Sequence, residues 1–224
     1  MHLTLGIRKA LSIALIVAPS MATAGDFSGP YFGIEAGPRI DFSADTVPFS
    51  PMHSASSSRG AVVGAFGGWA FRSGDIVYGV EVGAELRDAA AATDPSARNP
   101  WMGRGSRFST YSAATGYAKV RAGYLFGETL VFTAAGIGVT SVRGLYDVIP
   151  NAPGMSPVTE RFSDIRRALL FDVGAEREVW DGVSARATYS FAQAATATTV
   201  ISRSPLRNRH DEHSFKAGIV VRLQ

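Results

Sequence analysis

The sequence contains no cysteine, which excludes a disulfide framework and any cysteine-based metal site. It also lacks a long apolar run. Thr129 to Val142 carries no charge, but Gly136, Gly138 and three threonines interrupt it, so no transmembrane helix is expected. Net charge is scarce as well. Of the formal +3, two units come from Arg8 and Lys9, and the first 24 residues hold no acid. The rest of the chain has 20 basic against 19 acidic residues, a net +1, which is not the electrostatic footprint of a nucleic-acid binder.

What is present begins with an export signal. Arg8 and Lys9 form a positive segment, Ala10 to Ala18 is a short apolar run, and Ala22-Thr23-Ala24 is a small-residue cleavage box. We expect residues 1–24 to be removed, leaving residues 25–224 as one domain of 200 residues.

From Tyr31 to Leu223 the chain divides into eight stretches of about eleven residues with alternating side-chain character. They fall at Pro30 to Ile40, Ala61 to Arg72, Ile76 to Leu86, Ser112 to Phe126, Thr129 to Val142, Arg167 to Trp180, Val183 to Gln193 and His213 to Leu223. The connections alternate between long and very short. Ser73-Gly74-Asp75, Gly127-Glu128 and Asp181-Gly182 are tight turns. The long connections, at about 41–60, 87–111, 143–166 and 194–212, are rich in Ser, Pro, Asn and Arg. This rhythm predicts an all-β, eight-stranded, antiparallel up-and-down transmembrane barrel with four extracellular loops. A soluble lipocalin-like binding barrel would put the apolar set inside instead.

The alternation separates two faces. One carries Ile, Val, Ala and Leu, with Trp69, Phe71, Tyr78, Tyr124, Phe126 and Phe191 near strand ends, as interfacial girdles require. The other collects Glu35, Glu81, Glu85, Lys119, Arg121, Asp172, Glu176, Arg186, Lys216 and Arg222, five acids and five bases. Eight strands enclose little more than their own side chains, so charges inside must pair. Pairing between neighbouring strands joins Glu81 or Glu85 to Lys119 or Arg121, and Asp172 or Glu176 to Arg186. We expect the set to plug the lumen; the competing reading is a narrow porin passing water or small solutes.

The leader ending Ala22-Thr23-Ala24, the segment from Phe27 to Gly37 with Tyr31, Gly33 and Gly37, and the alternating last strand resemble the porin-like surface-antigen family of α-proteobacteria. That family is related to the OmpA-type barrel of Gram-negative outer membranes. The resemblance implies an outer-membrane location, insertion by the barrel-assembly machinery, and a role in envelope integrity or host contact, and it does not imply a catalytic activity. Family members usually end in an aromatic residue. This chain ends Val221-Arg222-Leu223-Gln224, where Leu223 keeps only the apolar register.

Other chemistry is thin. His210-Asp211-Glu212-His213 has metal-ligating side chains but no further ligand pattern, so it reads as a polar strand entrance and no metal or cofactor is expected. A lipid hydrolase would need Ser and His on one face. His213 and Ser214 are adjacent and must point oppositely in a strand, and His53-Ser54 falls in a loop with no supporting acid, so no catalytic residue is assigned. In the second long connection Arg98, Arg104 and Arg107 near Trp101 suit contact with lipopolysaccharide phosphates.

Overall fold

A computed structural model describes residues 27–46, 53–88, 107–148, 156–201 and 204–223. They form a closed barrel in which each strand pairs antiparallel with its sequence neighbours. The strands are β1 Gly29–Thr46, β2 His53–Ser73, β3 Ile76–Arg87, β4 Arg107–Phe126, β5 Thr129–Val148, β6 Val158–Trp180, β7 Val183–Ile201 and β8 Ser204–Arg222. Closure is made by β1 against β8, for example Ile34 opposite Ile219 and Ala36 opposite Ala217. The described residues contain no helix.

The eight strands are those the alternation predicts, but most are longer. β1 runs six residues past Ile40, and β2 starts eight residues before Ala61. His53 and Ser54 therefore open β2 instead of lying in a loop, and Arg107 opens β4. The physical reason is that alternation reports an apolar wall against a polar lumen, whereas the backbone ladder needs neither. Ser54 to Ser58 continue the β1–β2 pairing in a stretch whose side chains alternate nothing.

At the rim formed by the tight turns, Gly74, Gly127 and Gly182 all have positive φ, which short hairpins require. The wall is apolar on the outside: Ile34, Val82, Val120, Phe171 and Ile219 are each more than half exposed. So extensive an apolar surface on a closed barrel belongs against hydrocarbon. Phe71 stacks on Tyr78 at 5.6 Å and Tyr124 packs on Phe126 at 4.9 Å, giving an aromatic girdle close to the turns.

Candidate functional site in the barrel lumen

Inward parity gathers both apolar and charged residues. Phe27, Tyr31, Phe66, Val77, Leu125, Leu130, Phe132 and Val220 form a buried cluster toward the tight turns. Phe27 precedes β1 and lies under the Arg222 guanidinium at 4.2 Å, so it fills the tight-turn end of the lumen. All ten charges expected to face inward do so, and all are buried except Arg222, which is partly so.

Their pairing differs from the expectation. The neighbour-strand pairs contribute one long contact, Arg121 to Glu81 at 3.9 Å. Several close pairs instead skip at least one strand. Arg186 on β7 donates to Glu81 on β3 at 2.7 Å, Lys119 on β4 to Asp172 on β6 at 2.7 Å, and Arg121 on β4 to Glu176 on β6 at 3.1 Å. In a narrow barrel a long side chain reaches the facing wall as readily as the adjacent strand, and the aromatic residues steer it. Arg186 lies over Phe66 and Phe132 at 4.5 and 4.6 Å, and Arg121 over Phe132 at 4.5 Å.

Two connected chains result. Nearer the turns, Arg222 and Arg121 share Glu176, and Arg121 and Arg186 share Glu81, to which Tyr31 also donates at 3.3 Å. Farther along, Lys216 bridges Glu35 and Glu85 at 2.5 and 2.6 Å, and Arg87 links Glu85 to Glu212 at 2.7 and 2.8 Å. Arg39 then connects Glu212, at 3.9 Å, to Asp41. Arg39, Asp41, Arg87, Arg166, His210 and Glu212 are buried lumen residues that the sequence reading left out. The signal for them was present. They continue the inward parity of Glu35, Glu85, Asp172 and Lys216 toward the rim away from the tight turns.

The strand geometry divides the His210–His213 cluster. His210 and Glu212 point into the lumen, whereas Asp211 and His213 lie on the outer wall, where Tyr189 meets the His213 ring at 2.7 Å. Inside, Asp41, His210 and Glu212 bring one ligand atom each within 4.8 Å of one another. Arg39 on Asp41 and Arg87 on Glu212 already neutralise both carboxylates, so a cation there would have to displace two guanidiniums. Ser43 and Asp41 also contact the two nitrogens of His210, at 3.1 and 3.3 Å. With Ser43 itself buried and Asp41 held by Arg39, this reads as a hydrogen-bonded strut between β1 and β8. Ser214 faces inward, away from His213. Arg98 and Arg104 lie outside the described residues, and Arg107 stands opposite Asp147 in the β4–β5 register.

A closed barrel with an apolar outer wall and an ion-paired interior defines a transmembrane β-barrel protein. The chain belongs to the outer membrane protein beta-barrel domain family, whose model matches residues 10–222. It is 23% identical over 212 residues to the 25 kDa outer-membrane immunogenic protein of Brucella melitensis, covering 91% of this chain and 80% of that protein. The Brucella canis protein of the same name is 22% identical over 209 residues, with the same coverage. Among solved structures, the outer membrane protease OmpT of Escherichia coli superposes with a TM-score of 0.54 at 6% identity, covering 91% of this chain and 99% of that one. This last likeness is one of fold. The protein is thus an outer-membrane β-barrel protein with surface-antigen relatives.

Proposed function

We propose that the protein is a structural surface component of the outer membrane whose lumen is closed by its paired charges. The observation that carries this reading is the cross-lumen pairing. Arg186 on β7 reaches Glu81 on β3 and Lys216 on β8 reaches Glu85 on β3, so these side chains cross the lumen, and Glu81, Glu176, Glu85 and Lys216 each hold two partners. Parting such buried pairs leaves charges without their counter-ions in a narrow lumen, which opposes the opening of a path. In this reading residues 1–24 are a cleaved leader, the tight turns face the periplasm and the long connections face outward. Lipid and lipopolysaccharide surround the wall, and the barrel-assembly machinery inserts the chain.

The second reading, a narrow path for water, draws on Glu35 Oε2, Tyr117 Oη, Asp172 Oδ1 and Ser190 Oγ. These are buried without a hydrogen-bond partner among the described residues, and internal water would satisfy them. Planar-bilayer recording separates the two. The purified protein is expected to give no steady conductance step. A stable step that changes in size when Arg121 or Glu81 is neutralised would replace the plug with a pore.

A further inference from the structure

We propose that the outer wall across β4 to β8 is a binding site for a phosphate-bearing, multiply acylated lipid of the outer leaflet, the chemistry of lipopolysaccharide. This rests on the orientation given above, with the tight turns periplasmic.

Two independent features coincide there. The first is a groove of about 800 Å³ on the outside of the barrel. Its lining includes the outward-facing Gly116, Ile137, Val139, Leu169, Arg167 and Arg209. A convex wall has grooves only where side chains or pairing are missing, and both are missing here. A Cβ on Gly116 would meet nothing within 4 Å. On the other side the β7–β8 register shifts between Ala194 and Ala197, at the groove's edge.

The second feature is charge. On the half of the wall away from the tight turns, Arg59, Arg143, Arg161, Arg167, Arg207 and Arg209 are all exposed at outward positions. Two acids stand there among described side chains, Asp88 and Asp211; Asp211 holds Arg209 at 3.1 Å and accepts from Gln193 at 3.2 Å. Asp88, half exposed, accepts from the Ala61 amide at 2.8 Å and lies 3.8 Å from Arg39. The tight-turn rim has no such excess: Asp75, Glu128, Glu178 and Asp181 stand there with Arg72 and Arg177, and Arg177 is bound to Glu128 at 3.1 Å.

The two features meet in the β5–β6 register, where Val139 stands opposite Arg167 and Ile137 opposite Leu169. One step along the strands therefore carries the wall from guanidinium to apolar groove. Guanidinium forks bind phosphate through paired charge-assisted hydrogen bonds. A soluble anion would use the arginines and leave the groove unexplained. An apolar peptide would use the groove and leave the arginines unexplained. An acylated lipid phosphate uses both, with acyl chain below and phosphate above.

The test is binding of lipid A to the full barrel refolded in nonionic detergent, read by native mass spectrometry and calorimetry. Wild type is expected to bind lipid A. Arg167→Gln with Arg209→Gln, removal of the lipid's phosphates, and Gly116→Phe, which fills the groove, should each weaken binding by about tenfold or more. Arg177→Gln, at the opposite rim, should leave it unchanged. Heat-modifiable gel migration checks that every variant is folded. No binding by wild type, equal binding by the double arginine variant, or inorganic phosphate competing at the lipid's own concentration would overturn the site. Orientation is read separately. The chain has no cysteine, so one introduced at Ser57 should react with an impermeant maleimide on intact cells. Lack of labelling with lipid binding intact would reverse the orientation alone.

Discussion

Glu176 is the residue on which the turn-proximal charges converge. It is fully buried and takes both Arg121 and Arg222. Glu176→Gln keeps the shape but takes the counter-charge from Arg222 and leaves Arg121 only its 3.9 Å contact with Glu81, so we expect a loss of about 3–5 kcal/mol of stability. Urea unfolding in lipid vesicles, followed through tryptophan fluorescence, measures it; an unchanged midpoint would mean the pair is not a structural tie. That Glu176 faces inward was legible from alternation with Val173 and Ala175. That Arg121 is its partner was not, because the two are 55 residues apart and meet only once the barrel closes.

At the scale of elements, the β1–β8 seam converts a sheet into a barrel. Gly37 sits in it, and a Cβ there would lie 1.8 Å from the Phe215 carbonyl oxygen, a backbone atom that cannot swing away. Gly37→Ala should therefore prevent or loosen closure, seen as loss of the fast-migrating folded band on unheated gels. Gly116→Ala, which meets open space, should keep that band. In the sequence the two glycines look alike. Strand existence and facing were legible because the outer wall must be apolar. Strand ends were not, because β2 and β8 continue through largely polar stretches, where hydrogen-bonded pairing persists without a hydrophobic period.

For the whole molecule, the lumen and the outer arginines should respond differently to salt. The lumen pairs are buried and poorly screened, whereas the arginines are exposed. Raising salt from about 0.1 M to 1 M shortens the screening length from roughly 10 Å to 3 Å. Lipid binding is expected to weaken over that range while the urea midpoint of the barrel stays nearly constant. Parallel titrations of both check this, and a midpoint that falls with the binding would place the stabilising charges at the surface.

The sequence by itself determined the class of fold, the inward and outward faces and the positions of the tight turns. Each follows from local constraints: period-two alternation, turn glycines, and the exclusion of membrane-spanning helices by the lack of a long apolar run. Only the tertiary structure decided which acid meets which base, that Arg39, Asp41, Arg87 and Glu212 extend the lumen chain, and that His210 and His213 part to opposite sides of the wall. Those outcomes depend on closure and register, which bring together residues as far apart as Glu81 and Arg186 in a space narrow enough that side chains reach the facing strand.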